Sequence, residues 1–252
     1  MSRNNRIAWI PADAPPDAFP DIGGAMRDPD GLLAAGGDLG SPRLLAAYRR
    51  GIFPWFGPGQ PILWWSPDPR CVLFPGAFHA SRRLRRELRG SDAEIRFNTC
   101  FDGVVAACAE PRPGQDGTWI VPEMMAAYSR LHREGWAHSI EVWQQDALIG
   151  GLYGVVIGRA MFAESMFSRR SNASKYALYA LSQLLKARDF AVIDCQVMSR
   201  HLTTLGAVPL PRARFAGILA ASCDPAERFG DWPCEPLRAS VIETIGADTA
   251  LQ

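Results

Sequence analysis

The sequence predicts an α+β protein in two parts: a small N-terminal α+β domain over residues 1–69 and a larger domain over residues 70–252 built around one mixed sheet. Three observations lead there. Residues 1–69 are rich in Pro, Gly and Trp and hold one short helix candidate, whereas from about residue 70 runs of helix or strand length follow one another. Three apolar runs separated only by short polar turns read as an antiparallel meander. A long helix candidate then leads into a further apolar strand. The order helix, three antiparallel strands, helix, strand suits a layered α+β fold.

The elements follow in order. Ser41 to Arg50 reads as a helix, with Ser41 as N-cap, Pro42 at the first helical position and Gly51 as the stop. The stretch up to Arg70, PILWWSPDPR, reads as turns and short strands. His79 to Arg89 is a basic helix, and Phe101 to Ala109 a second one, ended by Pro111. A polar loop, PRPGQDG, follows; Pro122 to Glu134 is the next helix, with Gly135 just past its end. The meander strands are Ser139–Trp143, Ala147–Ile157 and Ala160–Phe167. Ser174 to Arg188 is the long helix, capped by Asn172 or Ser174, and Ala191–Val197 the strand it feeds. The last dozen residues are weakly patterned and expected to fray.

Composition narrows the function. The chain has 252 residues, 48% of them apolar, and a net charge of +1, which fits a buried core and not a disordered chain. The start, MSRNNRIAWIPADAPP, has no secretory apolar region, and the longest apolar run is too short and too glycine-rich to span a bilayer. Six cysteines without a CxxC pair read as reduced thiols of a cytoplasmic protein. Four histidines without ligand spacing predict no metal, and no cofactor is expected.

Chemistry-bearing residues stand out in four places. In AVIDCQV, strand alternation puts Asp194 and Gln196 on one face with Val192. An acid and an amide in an apolar strand form either a catalytic pair or a structural hydrogen-bond pair, since burying them unpaired costs ~2–7 kcal/mol each. In AMFAESMF, Glu164 shares a face with Phe162 and Met166 by the same alternation, which implies either an internal salt bridge to an arginine or a ligand for a cation. Trp55 in GIFPWF and Trp119 in GTWI sit in loops, as core plugs or as stacking platforms for a base. In HASRRLRRELRG, helical spacing aligns Arg82, Arg85, Arg86 and Arg89, while Leu84 and Leu88 mark the packing face. That stripe is either a solvated face or a phosphate contact. A Cys195–His201 nucleophile pair is disfavoured by spacing and by strand face.

The helix-and-strand order resembles the acyl-CoA N-acyltransferase-like fold of the GNAT superfamily. The nearest match to that fold's pyrophosphate loop, Arg214 to Leu219, ends in the wrong residue, so the coenzyme is not implied. The segments PDGLLAAGGDL, RLLAAYRRGIFPWF, PILWWSPDPR, GTWI, HSIEVW, GGLYG, ESMFSR, NASK, IDCQV and LGA, in this order from about Asp28 to about Phe215, resemble the leucyl/phenylalanyl-tRNA–protein transferase family.

The resemblance implies an aminoacyltransferase that moves Leu or Phe, and less well Met, from aminoacyl-tRNA to the N-terminal amine of proteins beginning with Arg or Lys, marking them for degradation. It implies that Trp55 and Trp119 hold the 3′ adenosine. Glu164 and Gln196 would receive the acceptor, with Asp194 and Gln196 assisting attack by the amine. Leu152, Met161 and Met166 would line the donor side-chain pocket, and Arg82, Arg85, Arg86 and Arg89 would bind the tRNA backbone. Its partners would be leucyl-tRNA, phenylalanyl-tRNA and proteins with N-terminal Arg or Lys, with no membrane. A monomer is the default expectation. Two positions depart from the family pattern: Ala163 stands where Gly is usual and Met161 where an aromatic is common. The competing classes are a non-catalytic RNA-binding module and an acyl-CoA-dependent N-acetyltransferase.

Overall fold

The computed structural model describes residues 7–111, 118–223, 229–230 and 232–244. The expected polar loop lies outside them except for Pro111, as do residues 245–252 of the expected frayed tail. The rest of that tail is ordered, since Val241–Thr244 belong to a 3-10 turn, Ala239–Thr244, whose Ile242 is buried.

The N-terminal part forms a four-stranded sheet from β1 (Ala8–Ile10), β2 (Leu32–Gly36), β3 (Phe53–Pro54) and β4 (Leu63–Trp65), in the order β1-β2-β4-β3. Helix α1 (Ser41–Arg49) joins β2 to β3. Gly40 is its N-cap, and Ser41, the expected cap, is its first residue and instead accepts from Arg130 Nε at 3.2 Å. With Pro42 in the first turn, the missing proline N–H is no loss, because the N–H groups there have no helical partner.

The larger sheet has eight strands in the order β11-β5-β10-β9-β8-β7-β6-β12. They are β5 (Arg70–Leu73), β6 (Glu94–Phe97), β7 (Ala137–Gln144), β8 (Ala147–Ile157), β9 (Ala160–Ser168), β10 (Val192–Gln196), β11 (Val208–Leu210) and β12 (Leu237–Arg238). The meander β7-β8-β9 is antiparallel as expected, and β9 and β10 are parallel. A parallel pair needs a crossover, supplied by α5 (Ala173–Ala187). Asn172 stands at the N-cap of α5 with φ of +67° and makes no side-chain cap bond, nor does Ser174 cap the helix.

Helices cover both faces. Helix α2 (Arg82–Arg89) starts three residues later than the sequence predicts, because the Ser81 hydroxyl accepts the Leu84 N–H and fixes the N-terminus there. With α5 it packs on one face, where Leu84, Leu88, Leu152, Met161, Leu181 and Ile193 share one core. The other face meets α3 (Phe101–Ala109), α4 (Pro122–Arg133) and the N-terminal part in a second continuous core that includes Tyr48, Tyr128, Tyr153, Phe162 and Phe215. Phe215 comes from α7 (Arg212–Ser222), and α6 (Arg200–Thr204) connects β10 to β11. The N-terminal part is thus joined to the sheet by shared apolar burial and not by a linker.

Candidate active site

Strands β9 and β10 pair regularly from Ala160↔Val192 to Phe162↔Asp194, and both then lose register. On β9, Ala163 faces Gly154 and Ser165 faces Tyr153, so Glu164 is the extra residue of a β-bulge. The bare backbone of Gly154 permits it, since a Cβ there would collide with the Phe162 carbonyl oxygen. On β10, Asp194 faces Val72 and Gln196 faces Cys71, so Cys195 is the extra residue, and Gln196 takes a φ of +55°. Bulges re-aim side chains. Here they bring the two side chains together, with Gln196 Nε2 donating to Glu164 Oε1 at 3.1 Å.

The bulge corrects one expectation. Phe162 lies in the core of the tyrosines, while Met166 packs in the core of α2 and α5, so the two do not flank Glu164 on a common face. Strict alternation fails because one extra residue inverts the parity of everything after it. Ala163 also packs toward the α2–α5 core.

Glu164 forms no salt bridge to an arginine among the described residues, although the charge of Arg70 acts on it from a distance. Its second oxygen accepts from the Tyr128 hydroxyl at 2.6 Å, and Tyr128 shares a 2.7 Å hydrogen bond with Tyr48. Burial pushes its carboxyl up to about 7, opposed by the hydroxyls of Tyr128 and Tyr48 and reinforced by the charge of Asp194. Burial, and then the nearby carboxylate, hold both tyrosine hydroxyls well above their ordinary range, so they remain donors.

Asp194 is fully buried behind the site. Arg70 grips it with two parallel bonds, Nε to Oδ1 at 2.8 Å and Nη2 to Oδ2 at 2.7 Å. The Gln196 backbone N–H also donates to Oδ1, at 3.0 Å. Arg70 is itself enclosed: Nη1 donates to the Gly51 carbonyl at 3.0 Å, and the guanidinium lies over the rings of Phe53 and Phe215. Asp194 is thus bonded to the Arg70 side chain, and its contact to Gln196 runs through the backbone.

A cavity of about 180 Å³ opens in front of these residues, walled by Trp55, Trp119, Phe53 and Val197, with Glu164, Gln196 and Cys195 at its base. Trp55 is 42% exposed. Its backbone is fixed on both sides, N–H to the Leu63 carbonyl at 2.9 Å and carbonyl to Trp65 Nε1 at 2.6 Å. The structure thus unites Trp55, Trp119, Glu164 and Gln196. It does not bring in Leu152, Met161 or Met166. Leu152 and Met161 are buried in the α2–α5 core, Met166 packs against it opposite Leu152, and none of them lines this cavity.

Arg82, Arg85, Arg86 and Arg89 are exposed along α2, and Leu84 and Leu88 are buried beneath them. The stripe has an acidic neighbour that the helix alone does not reveal: Glu243 lies 3.6 Å from Arg85 and 3.5 Å from Arg89.

Three residues escaped the sequence reading: Arg70, Tyr48 and Tyr128. The available signal was a tyrosine on the apolar face of each of α1 and α4, since a buried hydroxyl needs a partner. Among the described residues no cluster of three His, Cys, Asp or Glu side chains could hold a metal, and no helix is long and apolar enough to cross a membrane. The six cysteines are free thiols.

Comparison with known proteins gives concordant results. Residues 72–220 match the family model described as leucyl/phenylalanyl-tRNA protein transferase, and residues 37–68 match the one for its N-terminal domain. A protein of Aromatoleum aromaticum named leucyl/phenylalanyl-tRNA–protein transferase is 57% identical over 229 residues, covering 91% of this chain and 95% of the relative. Proteins of the same name are 54% identical in Alkalilimnicola ehrlichii, covering 90% of this chain and 88% of the relative, and 51% identical in Stutzerimonas stutzeri, covering 90% and 99%.

Proposed function

We propose, from the premise that the chain belongs to the leucyl/phenylalanyl-tRNA protein transferase family, a reading of its site residue by residue. The chain is an aminoacyltransferase that passes Leu or Phe from aminoacyl-tRNA to protein. The acceptor, in this reading, is the N-terminal amine of a protein beginning with Arg or Lys, which the added residue marks for degradation. Met is a poorer donor. The observation that carries the assignment of roles is the single cavity shared by Trp55, Trp119, Glu164 and Gln196.

The donor is an ester between an amino acid and the tRNA 3′ adenosine, already activated, so no covalent enzyme intermediate is needed. Trp55 and Trp119 hold the adenosine by stacking. Glu164 receives the cationic acceptor side chain, which relieves the cost of a charge in a largely desolvated site. Gln196, with Nε2 on Glu164, uses its amide oxygen to accept an N–H of the attacking amine. Asp194 acts through Gln196, whose backbone it holds. Attack forms the peptide bond, the ester C–O bond breaks, and the amine proton ends on the departing adenosine hydroxyl. Alignment of amine and ester supplies ~7–11 kcal/mol of such a barrier. The Arg82, Arg85, Arg86 and Arg89 stripe carries the tRNA backbone. Leu152, Met161 and Met166 are proposed to shape the donor pocket from behind Cys195, which belongs to their core and lies at the cavity base.

The division into residues 1–69 and 70–252, with the larger part GNAT-like, is supported by the separate strand sets and by the parallel β9–β10 pair that splays at Glu164 and Gln196. A tRNA substrate and six free thiols favour the cytoplasm. The test is direct: the protein, leucyl-tRNA and an Arg-peptide should yield Leu-Arg-peptide without ATP, metal or coenzyme A. A requirement for acetyl-CoA, or no product, rejects the reading.

A further inference from the structure

A second cavity, of about 320 Å³, lies between α2, α5 and α6. It opens at the same end of the sheet as the first. Ser171 and Asn172 stand just past the end of β9, and Thr204 ends α6, which follows β10. At ~3.3 Å per strand residue, the end of β9 at Ser168 is about 13 Å from Glu164.

Its lining is mostly polar, with Leu84 and Leu205 as its apolar part. Arg83 and Lys175 are cations and Ser81 and Ser171 offer hydroxyls, the Thr204 hydroxyl being given to the His201 carbonyl, while no carboxylate lines it among the described residues. The nearest acid braces the wall from outside the cavity: Glu87 takes Arg83 Nε at 2.7 Å and Asn172 Nδ2 at 2.6 Å. Asn172 in turn accepts from Lys175 Nζ at 2.9 Å. That bond uses one of the three donors of the ammonium group. Cationic and hydroxyl donors around a half-open pocket fit one tetrahedral anion, whereas an extended polyanion needs only an open stripe such as that of α2.

We propose that this cavity takes a phosphodiester of the tRNA's unpaired 3′ strand, between the arginine stripe that carries the duplex and the tryptophan cavity that takes the terminal adenosine. The inference rests on the transferase reading above. Lys175, part of the NASK segment to which that reading gives no role, is its principal contact.

The experiment uses leucyl donors of increasing length: leucyl-adenosine, which has no phosphodiester, and the leucyl-dinucleotide and leucyl-trinucleotide ending in the same adenosine. None carries a duplex, so the stripe is not read out. For each protein the ratio of kcat/KM, longer donor over leucyl-adenosine, is measured with one Arg-peptide. In the wild type the ratio should rise by roughly 10- to 100-fold at the step that adds the bound phosphate, the size of a hydrogen bond to a charged group. Lys175→Gln should return it toward one, and Lys175→Arg should retain most of it. A wild-type ratio near one at every length, as for a cavity that holds only free phosphate, overturns the proposal. An undiminished ratio in Lys175→Gln does the same. Failure of the transferase reading is separately visible as no product from leucyl-tRNA with the wild type, and the proposal then falls with it.

Discussion

Gln196 Nε2 donates to Glu164 Oε1 just past the point where two parallel strands stop pairing, and each residue reaches the contact beside a bulge in its own strand. The carboxyl so held lies at about 7, raised chiefly by burial. If it receives the acceptor's cation, its ionisation should be legible in acceptor choice. The ratio of Arg-peptide to citrulline-peptide use should rise with pH through about 7. Titration of the α-amine, common to both, cancels in the ratio. Glu164→Gln should give a low, flat ratio. A wild-type ratio independent of pH would remove the carboxylate from acceptor recognition.

The same shift fixes the sign of a stability effect. A carboxyl raised above its unfolded value of ~4.3 favours the fold when neutral. That contribution is fully present below about pH 4 and is lost as pH rises through 7. Glu164→Gln, always neutral, should therefore melt at or above the wild-type temperature at pH 8. A marked loss of melting temperature there would mean that the carboxylate is held by a cation in the free protein.

Tyr128 lowers the Glu164 value by donating to it, and Tyr48 supports Tyr128 from the N-terminal part. Tyr128→Phe should move the midpoint of the Arg-to-citrulline profile upward, with a smaller upward move for Tyr48→Phe. Loss of transfer with an unmoved midpoint would assign the tyrosines to packing alone.

Arg70 and Asp194 form a bidentate pair with both side chains almost wholly buried. Breaking such a pair from one side costs ~3–5 kcal/mol, because the other charge is left uncompensated. Asp194→Asn and Arg70→Met should each destabilise by about that much, and the double variant by less than their sum. Additive losses, measured by denaturant unfolding, would show that the pair is not a unit.

Glu243 sits within 4 Å of two arginines of the stripe, as a competitor for any phosphate there. Glu243→Gln should tighten tRNA binding, and Arg85→Ala should flatten the slope of log K against log salt by up to about one unit. Unchanged affinity and slope in both variants would leave the stripe a solvated face.

Sequence alone determined the mixed helix-and-sheet character, the order of the long elements and the residue types available for chemistry. Helices such as α3 and strands such as β8 follow from periodicity and from Pro and Gly punctuation, which are local properties of the chain. Short edge strands such as β11 and β12 have too few residues to show a period. Only the tertiary structure decided which side chains meet. Alternation in ESMF could not reveal the bulge that parts Glu164 from Met166, because an extra residue is defined by the partner strand. Nor could it reveal that Asp194 is claimed by Arg70, which lies 124 residues away in the chain and a hydrogen bond away in space.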